Sequence, residues 1–417
     1  MISVDEAFEQ YAQVISPLPP VEAPLASALG RVLGRDVSSP IDLPPFPQSA
    51  MDGYALRAGD CRTASAEHPA RLRLVGTIAA GKLAQIPRLS SGEALRIFTG
   101  GHLPQGADAV LRQEDAQVEG DTLLVRRALP AGQDIREQGE ELQKGDLLAR
   151  AGSRITPGLL GALAIAGLTQ VQVHRAPRIS LLTTGDEVVA GGQELQPGEV
   201  YDANSHLVTA WLRAGGYRLS VTDHLADDLE LTKRALAEAL VGSDLVITVG
   251  GVSVGERDYI LAAAESVGVE QVFWRVRQRP GKPLFFGRSG EKLLLGLPGN
   301  PGAVFVGLLV HLRRALDLLE GAARPRPGFL PGRLADPLVA DAQQDIWLRS
   351  RMELSPRGEA WLHPLPHQSS HMISNLAACT VLVRIPAGRG ELSPGEIVTW
   401  IPSGPLLGAK QGVADRP

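Results

Sequence analysis

The residues with the most chemical content lie in one stretch. Asp244-Leu245-Val246-Ile247-Thr248-Val249 is an apolar run that leads into Gly250-Gly251-Val252-Ser253-Val254-Gly255 and then Glu256-Arg257-Asp258-Tyr259. A buried strand followed by a glycine-rich loop and a helix start aims backbone N–H groups at an anion. The stretch therefore reads as a phosphate cradle, with Gly250, Gly251, Ser253 and Gly255 facing the ligand. Two acidic residues and a basic one directly behind the glycines favour a functional loop over a plain strand-to-helix turn.

Two further loops have the same character. Thr184-Gly185-Asp186-Glu187 follows an apolar run, and Pro298-Gly299-Asn300-Pro301-Gly302 precedes a long helix. Pro301 in the first turn is expected to leave free N–H groups facing the ligand. Arg275, Arg279 and Lys282 supply charge-assisted bonds to oxyanions. Asp186, Glu187, Asp227 and Asp258 are hard oxygen donors suited to Mg²⁺ bridging a phosphate or pyrophosphate. Asp227-Asp228 ahead of a helix is equally the pattern of an N-cap. His102, His367 and His371 read as surface or turn residues.

These loops need a scaffold that gathers them. The patterning predicts strands at 178–183, 217–222, 244–249, 271–276 and 293–295, and helices at 204–213, 229–241, 257–266 and 302–319. Strands alternating with helices imply a Rossmann-like, doubly wound parallel sheet, whose ligands sit outside the carboxyl ends of the strands. The expected fold is therefore multidomain, with this α/β domain at 177–325. Short β-like runs separated by Gly or Pro turns predict a small β domain at 46–141, inserted into a discontinuous, partly helical domain formed by 1–45 and 142–176. Ser3 and Glu6 stand in capping-box spacing at the start of the first helix, and Thr156 with Pro157 starts another. Alternating runs after Pro327 predict a C-terminal β domain at 326–417.

Composition excludes several classes. A net charge of −5 and a pI near 6.0 argue against a nucleic-acid partner. No apolar run approaches the ~20 residues of a membrane helix, and the amino terminus lacks a signal peptide, so a cytoplasmic protein without membrane contact is expected. Cys61 and Cys379 are the only cysteines, which excludes a disulfide framework. There is no HExxH motif, and Gly281-Lys282-Pro283 lacks the context of a Walker loop.

Six motifs stand together in order: Ser49-Ala50-Met51-Asp52-Gly53-Tyr54-Ala55, Arg96-Ile97-Phe98-Thr99-Gly100, Thr184-Gly185-Asp186-Glu187, Gly250 through Tyr259, Pro280-Gly281-Lys282-Pro283 and Leu297-Pro298-Gly299-Asn300-Pro301. In this combination the chain resembles the molybdopterin molybdenumtransferase family, the MoeA proteins and the gephyrin E domain, over essentially its whole length. The resemblance implies an elongated four-domain homodimer with a MogA-like central domain. It further implies that adenylylated molybdopterin and molybdate are the substrates, and that Mg²⁺ assists release of AMP as molybdenum reaches the dithiolene. Carried over by motif, the functional positions are Asp52, Thr99, Glu187, Asp227, Asp258, Arg349 and Ser370. Glu187, Asp227 and Asp258 become the metal candidates, and the Asp52 loop would reach the cleft of the other subunit. Pro298, Gly299, Asn300 and Pro301 would hold the pterin phosphate, while Arg275, Arg279, Lys282, Arg349 and Ser370 attract molybdate. A molybdopterin adenylyltransferase and molybdoenzyme maturation proteins are the implied partners.

Glu141, Pro47, Arg275 and Arg279 depart from the family pattern. Two other readings stay open: an adenylyltransferase acting on molybdopterin, and a non-catalytic dimeric scaffold.

Overall fold

The structure is a computed structural model that describes residues 1–81, 85–253 and 258–404. At its centre lies a six-stranded sheet in the order Leu219–Leu225, Ile179–Thr184, Leu245–Val249, Lys292–Leu297, Phe285–Ser289, Glu270–Trp274. The Leu245–Val249 strand is buried along its whole length. Its side chains alternate between two cores, as a period of two requires. Leu245, Ile247 and Val249 meet Val208, Leu212 and Val304 on one face, while Val246 meets Leu236, Ile260 and Leu294 on the other. The sheet is thus covered on both sides.

The first four strands are parallel. The expected all-parallel sheet is corrected at its far edge, where Phe285–Ser289 runs antiparallel to both of its neighbours. Only Gly290 and Glu291 separate that strand from Lys292–Leu297. A two-residue link can close a hairpin, whereas a parallel crossover needs a dozen residues or more. Residues 301–319 form one continuous rod in which the Leu308–Leu312 turn is π-helical. The helix expected from 257 is described from Ile260 to Ser266, and Arg257 lies outside the described residues.

The first helix, Val4–Val14, carries the expected capping box. Its apolar face, Val4, Ala7, Phe8 and Tyr11, packs into the core of the α/β domain, with the Tyr11 ring 4.6 Å from that of Phe286. Residues 1–45 are therefore not a single packing unit, in contrast to the expected grouping. The discontinuous unit begins after this helix: Pro20–Pro24 pairs with Gln170–His174, and Val37–Ser38 with Leu147–Ala149.

Between its two halves sits a six-stranded sheet ordered Ala109–Arg112, Gly53–Leu56, Glu93–Ile97, Ala70–Ile78, Thr122–Val125, Gln117–Glu119. The C-terminal unit is a closed ring of strands. Asp345–Leu354 pairs on one side with Ala360–Pro364 and on the other with Val381–Ile385; Leu330–Leu334 and Ile397–Pro402 complete the circuit. Closure removes the exposed edges that an open sheet would leave. Gln278–Arg279, from the α/β domain, adds to this barrel in parallel against Asp345–Ile346. That pairing brings the Arg279–Lys282 turn to the barrel. No helix among the described residues is long and apolar enough to cross a membrane.

Candidate active site

The three strand-end loops converge. A Cβ at Gly299 would lie 3.7 Å from Gly250 Cα, so the Pro298–Pro301 loop rests against the glycine loop. Gly250 and Gly251 have φ of 93° and 65°, the left-handed region that glycine enters without strain. Space gives a second reason for glycine, because a Cβ at Gly250 would come within 2.6 Å of Thr184 Oγ1. The loop is braced by Trp274, whose indole N–H donates to the Val252 carbonyl at 3.0 Å. The Arg275 guanidinium lies 4.2 Å over the Trp274 ring. Ser253 is exposed, and Gly255 lies outside the described residues.

Two expected anion donors are engaged elsewhere. Gly250 N–H donates to Leu297 O at 3.0 Å, and Gly302 N–H donates to Ser370 O at 2.7 Å. The Gly302 N–H at the helix start is therefore spent on the barrel, which corrects the expectation that it is free for a ligand. Charge gathers one loop further on. A cavity of 350 Å³ is lined by Arg279 and Lys282, by Pro298 and Asn300, and by Ser370 and His371. The last two come from the barrel unit. His371, read from sequence as a turn residue, thus lines the cavity.

Arg349 does not reach this cavity as an anion receptor. It is 1% exposed, and its guanidinium donates to the carbonyl oxygens of His367 at 2.8 Å, Ser369 at 3.0 Å and Met372. Its backbone N–H donates to Gln368 Oε1 at 3.0 Å, and Gln368 Nε2 donates back to Arg349 O at 2.7 Å. Burial lowers its pKa. Arg349 is the post around which the 367–372 loop is wound, and Ser370 is what that loop presents. This corrects its expected direct contact with molybdate, because its N–H groups are committed to carbonyl groups.

Gln278 was not anticipated. It is fully buried, and its Nε2 donates to Gly281 O at 3.0 Å, holding the Arg279–Lys282 turn. Its Oε1 accepts from Trp347 Nε1 at 3.1 Å and from His311 Nε2 at 3.0 Å. That bond places the His311 proton on Nε2, so Nδ1 accepts from the Tyr11 hydroxyl at 3.2 Å. Burial brings the His311 pKa down to about 3, and the ring is neutral. Nothing in the local pattern around Gln278 signals this role, since apart from Gly281 its partners, His311 and Trp347, are 33 and 69 residues away in sequence.

The carboxylates sit on the other side of the glycine loop. Asp227 lines a narrow crevice with Thr184, Gly251 and Tyr259, and its N–H donates to Asp186 Oδ1 at 3.0 Å. The capping alternative is resolved by its neighbour: Asp228 accepts from Leu231 N–H at 2.8 Å and is the N-cap. Asp258 adjoins Tyr259 at the loop's far end, and Glu187 is exposed behind Gly185. Among the described residues no three His, Cys, Asp or Glu side chains form a ready metal cage. Mg²⁺ commonly takes one or two carboxylates and completes its shell with water and substrate phosphate, so carboxylate oxygens from Asp227 and Asp258 fit its chemistry.

Asp52 and Thr99 meet each other in the inserted domain. Asp52 Oδ1 accepts from the Thr99 N–H and from its hydroxyl, both at 2.7 Å. Those two bonds, with Arg96 nearby, hold the Asp52 carboxyl below its usual range. Gly53 is required beside it, because a Cβ there would lie 2.1 Å from Leu111 O. Neither Asp52 nor Thr99 lines the cavity or the crevice of the α/β domain.

Comparison with known proteins matches this architecture throughout. The profile of the MoeA N-terminal region, domains I and II, matches residues 2–167; that of a probable molybdopterin-binding domain matches 180–317; that of the MoeA C-terminal region, domain IV, matches 324–403. The molybdopterin molybdenumtransferase of Haemophilus influenzae is 33% identical over 386 residues, covering 92% of this chain and 94% of the relative. The chain belongs to the molybdopterin molybdenumtransferase family. The relative from Synechococcus elongatus is 34% identical over 402 residues, covering 95% of this chain and 98% of its own. The crystal structure of the molybdopterin biosynthesis MoeA protein of Pyrococcus horikoshii superposes with a TM-score of 0.83 at 26% identity, over 96% of this chain and all of that one. As a member of the molybdopterin molybdenumtransferase family, the chain is a transferase of molybdenum cofactor biosynthesis.

Proposed function

We propose that this transferase inserts molybdenum from molybdate into adenylylated molybdopterin and releases AMP, at a site completed by a second copy of the chain. The observation that carries the reading is the joining of the glycine loop to a cationic cavity through the Gly250–Gly299 contact. The glycine loop, with Arg275 beside it, suits the phosphates of a pterin nucleotide. Arg279, Lys282, Ser370 and His371 suit a compact tetrahedral oxyanion such as molybdate.

In the reaction an oxygen nucleophile attacks phosphorus, the P–O bond of the phosphoanhydride breaks, and AMP departs with the bonding pair. Charge builds on the leaving phosphate as that bond opens. Arg275, with the backbone N–H groups of Gly251 to Ser253, is placed to stabilise it. Asp227 and Asp258, with Glu187 as a third candidate, are the carboxylates that would hold Mg²⁺, which when bound would supply further charge neutralisation there. Among the described residues Asp52 and Thr99 line neither the cavity nor the crevice, which supports their entering the cleft of a partner in a homodimer.

The test is release of AMP from adenylylated molybdopterin by purified protein with Mg²⁺, with and without molybdate. Molybdate-dependent release supports the proposal. Consumption of ATP with molybdopterin, and no release from the adenylylated form, would replace it with adenylyl transfer.

A further inference from the structure

A second cavity, of 520 Å³, lies where the discontinuous N-terminal unit, the α/β domain and the barrel unit meet. It exceeds the 350 Å³ cavity at Arg279 and falls within the roughly 300–1,000 Å³ of small-molecule sites. Its wall includes Arg154, Trp211, Leu309, Arg313, Phe329 and Ile401, none of which serves the reaction proposed above.

The charges around it are unevenly matched. Arg154 donates to Asp317 at 2.8 Å and to Glu320 at 2.7 Å, and Arg326 donates to Asp317 through two nitrogens, each at 2.7 Å. Glu320 also accepts from the Tyr217 hydroxyl at 2.9 Å. Both carboxylates are thus already shared. The third guanidinium, Arg313, lies 4.4 Å over the Trp211 ring, and among the described residues it has no hydrogen-bond acceptor or ion-pair partner. Burial first, and repulsion from Arg326 second, lower its pKa against the opposing pull of Tyr217 and Asp317. A stacked guanidinium keeps its N–H fork free at its edge, where a carboxylate can be taken up in two parallel bonds. Phe329, Leu309 and Ile401 provide apolar wall in the same cavity that Arg313 lines.

We propose that this junction is a second ligand site, which takes a compact aromatic carboxylate with its ring among Phe329, Leu309 and Ile401 and its carboxylate on Arg313.

The probe is 2-naphthoate, titrated calorimetrically into the full-length protein, with 2-naphthalenemethanol as its uncharged counterpart. One naphthoate per chain is expected, with the alcohol at least about tenfold weaker, the worth of a charge-assisted bond. Arg313→Gln should weaken naphthoate about tenfold and leave the alcohol unchanged. Ala214→Phe, which fills the cavity from its rim and keeps every charge, should abolish both. It also serves as the deciding variant if thermal melts show that Arg313→Gln does not fold. Saturating molybdate and AMP should not displace naphthoate. Equal binding of the two probes, parent-like binding by Ala214→Phe, displacement by molybdate, or no binding at millimolar probe would each overturn the proposal.

Discussion

The backbone N–H of Gly302 donates to the carbonyl oxygen of Ser370 at 2.7 Å, and a Cβ on residue 302 would lie 2.7 Å from that same oxygen. The α/β domain and the barrel thus touch backbone to backbone, at the point where each contributes to one cavity. Gly302→Ala should push the 367–372 loop away from Arg279 and Lys282. A strain of about 1–3 kcal/mol is typical of such overpacking. The expected result is a raised KM for molybdate with the pterin nucleotide still bound, measured by steady-state AMP release and by nucleotide titration.

Arg349 organises the same loop from below. Removing it leaves the carbonyl oxygens of His367, Ser369 and Met372 without their donor. Arg349→Met should cost about 2–4 kcal/mol of stability, and Arg349→Lys should recover little of it, because a single ammonium cannot span donors fixed in a planar fork. Urea unfolding of both variants checks this. Equal stability of the lysine variant and the parent would refute the structural role.

Asp52 with Thr99 and Asp227 with the glycine loop occupy separate places in one chain. If the site is shared between copies, chains carrying Asp52→Ala and chains carrying Asp227→Ala should each be nearly inactive alone. Co-expressed, they should recover about a quarter of parental AMP release, since half of randomly paired dimers retain one intact site of two. No recovery in verified mixed dimers would place Asp52 in the site of its own chain, and parental activity of Asp52→Ala alone would place it outside any site.

His311 sets a pH dependence. Its folded pKa is depressed to about 3 from the ordinary 6.5. The unfolded chain therefore binds a proton between those values and the folded chain does not, so this contribution is complete above pH 6.5 and is lost as pH falls toward 3. Between pH 6 and 5, where carboxylates contribute little, stability should fall with a slope approaching about 1.4 kcal/mol per pH unit. His311→Gln should flatten that slope, as read from unfolding curves at closely spaced pH values.

Asp244 works in the opposite charge sense at the foot of the central strand. Burial alone would raise its pKa, but hydrogen bonds from Arg175 and Arg178 hold it well below the usual carboxylate range. Its stabilisation is present above the unfolded value and lost as pH falls through the folded one. Asp244→Asn should cost about 1–2 kcal/mol near neutral pH, because the carboxylate is buried while the two guanidinium groups that lose it remain partly exposed and solvated. Differential scanning calorimetry at pH 7 measures it.

Local patterning alone determined much of this protein. The alternation at 245–249, the capping box at Ser3 and Glu6, and the glycines at 250 and 251 are properties of neighbouring residues that the structure bears out, and the six ordered motifs point to the family to which the chain belongs. What neighbours do not specify is where a long side chain ends up once distant segments pack. Arg349 points inward because the barrel closes around it, Gly302 spends its N–H on Ser370 because the barrel docks there, and Gln278 becomes a hub because Tyr11, His311 and Trp347 arrive from three remote segments. Hydrogen-bond partners are chosen by proximity in space under the demand that buried polar groups be satisfied, and only the tertiary structure supplies that proximity.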